Sequence, residues 1–136
     1  MYKKLIPLLF FLFSGKALAY QFPIEVTEYI DDVKIVAYIN QDDIKEKSQW
    51  TPFESAPPLS INDALQAVQK YLHSNAEFTN ATLTGIELKQ IPHHQNYWHY
   101  LVKIKFKTGD MPKPHFFVVL MDGKVISALK EPESIK

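Results

Sequence analysis

Residues 97–127 read YWHYLVKIKFKTGDMPKPHFFVVLMDGKVIS, and their alternation sets the architecture of the chain. Over the first eleven positions Trp98, Tyr100, Val102, Ile104 and Phe106 fall on one side of an extended backbone. Tyr97, His99, Leu101, Lys103, Lys105 and Lys107 fall on the other. That pattern predicts a strand with one face in a core and one in water. Turn-forming residues follow at 108–114, then an apolar run at 115–121, then Asp122-Gly123, a two-residue hairpin turn leading into 124–129. With residues 82–91 upstream and a turn at 92–96, the sequence predicts four antiparallel strands covered on one face only.

The covering element lies just before them. In LSINDALQAVQKYLHSN, residues 59–75, Ile61, Ala64, Leu65, Val68 and Leu72 recur at helical spacing. Ser60 is suited to cap the N-terminus, with Asp63 in the capping-box position, and Asn75 is a natural stop. One amphipathic helix over 60–74 is expected. Further upstream, residues 24–30 and 33–39 are rich in β-branched and aromatic side chains, so one strand is expected there. A tight hairpin through Asp31-Asp32 is the weaker alternative, because such turns favour glycine. Periodicity then lapses over 41–59, where three prolines accompany Trp50 and Phe53 in a long ordered arm.

At the N-terminus, Lys3 and Lys4 precede an apolar run over 5–13 and small residues ending Ala17-Leu18-Ala19, the layout of a secretory signal peptide cleaved after Ala19. The run is shorter than the roughly 20 residues of a membrane span. An exported chain with no membrane span after cleavage, periplasmic or secreted, is expected. The organisation is then a leader at 1–19, a strand and proline-rich arm at 20–58, and a helix-plus-meander domain at 59–136.

The chain holds no cysteine, which removes disulfides, thiol catalysis and cysteine-based zinc sites. It also holds no arginine, and past residue 19 its 12 lysines face 15 acidic residues, a poor composition for binding nucleic acid. Hydrolase motifs and glycine-rich phosphate loops are absent. Asp31-Asp32 and Asp42-Asp43 sit in expected turns, where carboxylates are solvated rather than catalytic.

Four of the five histidines lie between 91 and 115. Pairing of the strands around 97–107 and 115–121 places His115 opposite Phe106, about 23 Å from His99 at roughly 3.3 Å per residue. One ion therefore cannot take all four. His93, His94 and His99 remain as weak candidate ligands at one end of the sheet, and neither a metal nor another cofactor is expected. The row Lys103, Lys105 and Lys107 is the most defined polar surface, read either as a solvated face or as a contact for an acidic partner. Trp50 and Phe53 either fold back over the core or form a partner-binding loop.

The segments PLSINDALQAV, YWHYLVKIKF and FFVVLMDGKVIS together resemble the PepSY-like group of small exported domains, across residues 59–127. The lead-in WTPFESAPPLS is similar to that of bacterial secreted proteins with this arrangement. The resemblance implies a helix on a curved antiparallel sheet, a role in binding or restraining peptidases or as a periplasmic module, and no catalytic residues. Cystatin-like and NTF2-like folds share the same layout. The expectation is thus an α+β, non-enzymatic binding or inhibitory module for a protein partner, acting through Trp50, Phe53 and the lysine face. The alternative is a small-molecule or catalytic pocket of NTF2-like type between helix and sheet.

Overall fold

The computed structural model describes residues 22–130, so the expected leader lies outside the described residues. The chain is α+β, with one helix and two antiparallel sheets. The first sheet has the order β1-β2-β7, from β1 (Ile24–Ile30), β2 (Val33–Ile39) and β7 (Leu129–Lys130). The second has the order β3-β4-β5-β6, from β3 (Thr82–Gln90), β4 (Trp98–Thr108), β5 (Met111–Leu120) and β6 (Val125–Ser127).

Helix α1 (Ile61–His73) forms as its sequence pattern predicts. The Ser60 hydroxyl accepts from the Asp63 N–H at 3.0 Å, satisfying one of the free donors of the first turn. At the far end the Asn75 side-chain amide donates to the Tyr71 carbonyl at 2.8 Å. Ala64 and Val68 are buried against Tyr100, Val102, Ile104, Phe117 and Val119. Ile61, expected on the same stripe, is exposed. The Tyr100 hydroxyl donates to the Leu59 carbonyl at 2.6 Å and so fixes the chain entering the helix.

The second face of the β3–β6 sheet differs from the sequence expectation. It is covered by the β1–β2 hairpin, whose Ile24, Val26, Ile35, Ala37 and Ile39 form a separate core with Leu101, Phe116, Val118 and Leu120. His99 and Leu101, expected to face water, are both buried. The run HFFVVLM carries the signal for this, since a strand covered on both faces shows continuous rather than alternating hydrophobicity. The molecule therefore has three layers: helix, four-stranded sheet, three-stranded sheet.

Three turns also differ in detail. β1 and β2 join through Asp31-Asp32 with Ile30 opposite Val33, and both aspartates take positive φ (52° and 64°). This matches the mirror-image turn that follows strand twist, which aspartate tolerates better than most side chains. Between β4 and β5 the turn is Gly109-Asp110, so His115 faces Ile104 rather than Phe106. Gly109, at φ 63°, permits that tight closure. The Asp122-Gly123 hairpin forms with a three-residue loop in place of two, closed by Gly123 N–H to the Leu120 carbonyl at 2.9 Å.

Pro112 and Pro114 interrupt no pairing. The tight Gly109-Asp110 turn makes Thr108 and Met111 a hydrogen-bonded pair, so positions 112 and 114 direct their nitrogens away from β4. β6 pairs only with Phe117–Val119 of β5, which leaves those two positions on a free edge. Past β6 the chain passes from one sheet to the other: the Ala128 N–H donates to the Phe116 carbonyl at 3.2 Å, and Leu129 then pairs with Val36.

Candidate functional site

The proline-rich arm begins with two single 3₁₀ turns, Gln41–Asp43 and Glu46–Ser48, and then meets the start of β4. Gln49 bridges to Tyr97, and the Trp50 N–H donates to the Asn96 carbonyl at 2.8 Å. The Trp50 ring stands edge-on to Trp98 with centroids 5.2 Å apart. Its indole N–H donates to the Ser55 carbonyl at 2.9 Å, while that of Trp98 donates to the Trp50 carbonyl at 3.0 Å. Trp50 is half-buried and pins the arm to the sheet.

Between these anchors lies Thr51-Pro52-Phe53-Glu54, closed by Glu54 N–H to the Thr51 carbonyl at 3.4 Å. Phe53 has φ 75° and its side chain is fully exposed. Proline followed by a residue of positive φ is the type II arrangement, in which the third position is ordinarily glycine. Phenylalanine there carries a steric cost and gains no burial to offset it. The two aromatics of the arm thus part company: Trp50 is structural, and Phe53 is displayed.

The lysine row does not present one surface. Lys103 lies under the β1–β2 layer, with its ammonium 2.9 Å from Glu87 Oε1 and 3.3 Å from Glu28 Oε1. Lys89 adds longer contacts of 3.9 Å to both carboxylates. The bond to Glu87 raises the pKa of Lys103 despite its burial, and the same bond holds that of Glu87 below the usual carboxylate value. Lys105 and Lys107 alone of the three are exposed.

The histidine trio is not brought together. His93 is exposed at φ 63°, and His94 turns its Nδ1 to the Pro92 carbonyl at 2.9 Å. His99 is buried between the sheets with no partner for Nδ1, and burial lowers its pKa. Among the described residues no group of three or more histidine or acidic side chains is placed to hold a metal ion.

His115 lies elsewhere, among Phe78, Phe106 and Phe117, with ring centroids 4.9, 6.1 and 4.9 Å away. Its Nε2 is 2.9 Å from the Ser127 hydroxyl. Burial among these rings lowers its pKa to about 4, so the imidazole is neutral at neutral pH. The pair borders an open cleft of about 660 Å³, framed by Tyr71 at the end of α1, Phe78 in the loop beyond, the β5 edge, and β2 with β7. Sequence reasoning missed it because its walls come from segments far apart in the chain. A smaller concavity of about 320 Å³ lies between the helix and the sheet, lined by Leu65, Gln69 and Leu72 on one side and Leu83, Val102 and Ile104 on the other, whereas the His115 cleft lies beyond the helix C-terminus and is bordered by both sheets.

No family model, curated protein or solved structure matches the chain. Among the described residues no helix is long and apolar enough to cross a membrane.

Proposed function

We propose that this chain is an exported, non-enzymatic module that binds a protein partner through the turn carrying Phe53. The observation that supports it is a fully exposed phenylalanine held at φ 75° in a turn braced by Trp50 and Trp98. Backbone strain kept at an exposed position is characteristic of ligand clamps and binding loops. A turn whose backbone is already fixed loses little conformational entropy on docking, which suits the aromatic it carries to act as an interface anchor. A peptidase is the partner class that the PepSY-like resemblance implies, and the periplasm is the compartment that the leader implies. Lys105 and Lys107 are left to contribute charge at a second surface, whereas Lys103 is committed to Glu28 and Glu87.

The experiment replaces Phe53 with a benzophenone side chain in the exporting host and irradiates intact cells. One or a few discrete adducts are expected, with an unlabelled excess of the unmodified chain competing and an excess of Phe53→Ala failing to compete. Burying one phenylalanine at an interface is worth about 1.5–3 kcal/mol, roughly a 10- to 100-fold weakening on truncation. Equal competition by Phe53→Ala would refute the reading.

A further inference from the structure

We propose that the cleft beside His115 and Ser127 binds an uncharged, flat, largely apolar small molecule that donates one hydrogen bond, as a phenol does. The volume, about 660 Å³, lies within the roughly 300–1,000 Å³ of small-molecule sites. One side of it is aromatic: Phe78 meets Phe106 edge-on at 5.1 Å, Tyr71 stands 6.2 Å from Phe78, and Phe117 backs Phe78 from the core at 5.4 Å. Such rings receive another ring readily.

The polar part is built from the His115–Ser127 pair. The Ser127 hydroxyl stands 2.9 Å from Nε2 and 3.4 Å from the Ala128 carbonyl, and whichever of them takes its hydrogen, the Ser127 oxygen keeps at least one lone pair to accept from a ligand hydroxyl. Charge at the mouth cancels, Asp31 and Glu77 against Lys113 and Lys130, all four exposed. Nothing there selects an ion, and the phenylalanines around His115 disfavour one. An extended peptide is disfavoured as well, because Pro112 and Pro114 leave the β5 edge without the N–H groups that strand addition needs. Proton abstraction is not the task of this pair, since a base of pKa about 4 is poorly matched to neutral pH.

This site is separate from the Phe53 turn. The turn is braced at Trp98 and the cleft begins at Phe106, about 26 Å along β4 at roughly 3.3 Å per residue. The test titrates the exported chain with 1-naphthol, naphthalene and 1-naphthoate, following amide and side-chain NMR shifts. Saturable shifts confined to the cleft residues are expected for 1-naphthol. Its affinity should exceed that of naphthalene about fivefold, the value of a hydrogen bond near 1 kcal/mol, and 1-naphthoate should bind more weakly than either. Ser127→Ala should bring 1-naphthol down to naphthalene without changing naphthalene, and Phe53→Ala should change nothing. Absence of saturable binding, equal affinity for 1-naphthol and naphthalene in the unmodified chain, shifts centred elsewhere, or tightest binding of the carboxylate would each overturn the proposal.

Discussion

Phe53→Gly should make the fold more stable while weakening the proposed partner binding roughly 10- to 100-fold. The backbone at residue 53 has φ 75°, where a Cβ collides with the neighbouring peptide at a cost of about 1–2 kcal/mol. Removing the side chain forfeits no packing, because it is fully exposed. Against the relief stands the greater freedom of glycine in the unfolded chain, about 0.5–1 kcal/mol. The balance is a gain of about 0.5–1 kcal/mol, a rise in Tm of about 2–6 °C for a domain of this size. Phe53→Ala is the control, since it keeps the Cβ and therefore the collision, and its Tm should stay within about 1 °C of the parent by the same relation. Differential scanning calorimetry of the three chains, with urea titrations to fix the midpoints, reads the stability changes, and the crosslinking competition described above reads the binding. A Tm lowered by Phe53→Gly would show that the ring buries surface or that its φ carries no strain, and the argument for a displayed anchor would fail.

Two further outcomes are expected. Stability should fall between pH 6.5 and pH 4, because unfolded His115 takes up a proton near pH 6.5 while the folded residue resists until about pH 4. His99 adds in the same direction, its folded pKa also being lowered by burial. The His115 contribution is present above pH 6.5 and lost on acidification. Allowing for its partial exposure, the loss relative to neutral pH amounts to about 2 kcal/mol at pH 4.5, and urea midpoints of His115→Leu should show a correspondingly shallower decline. Lys103→Ala should cost about 1 kcal/mol in urea unfolding, because it strands Glu28 beneath the hairpin, whereas Lys105→Ala and Lys107→Ala should stay within about 0.5 kcal/mol. Equal costs at the three positions would remove Lys103 from its structural role.

Local signals were legible where one stretch of chain determines its own conformation. Ser60, Asp63 and Asn75 mark the helix ends, and the Asp122-Gly123 turn marks a hairpin, because caps and turns use only adjacent residues. Alternation in β4 correctly assigned Tyr100, Val102 and Ile104 to the helix side. It misassigned His99, Leu101 and Lys103, because a histidine and a lysine on one face look wet whether that face meets water or a layer with its own glutamate. Glu28 supplies that layer from far upstream. The tip of the arm was half legible: its aromatics stand out, but nothing local distinguishes Trp50, caught by Trp98, from Phe53, left at positive φ. The His115 cleft was not legible at all. It exists only once residues from both sheets and the end of the helix converge.

The pairing of β2 with β7 also governs when this fold can form. Val36 and Leu129 lie side by side in the sheet yet are separated by most of the described sequence. Contacts so distant along the chain are slow to close, since the entropy of a large loop is lost before they return any stability. While the chain is emerging, the N-terminal hairpin has its two strands but neither the third strand of its sheet nor the β4–β5 surface beneath it. Under the export proposed above, that delay is an advantage: completion is deferred until the last strand has come through.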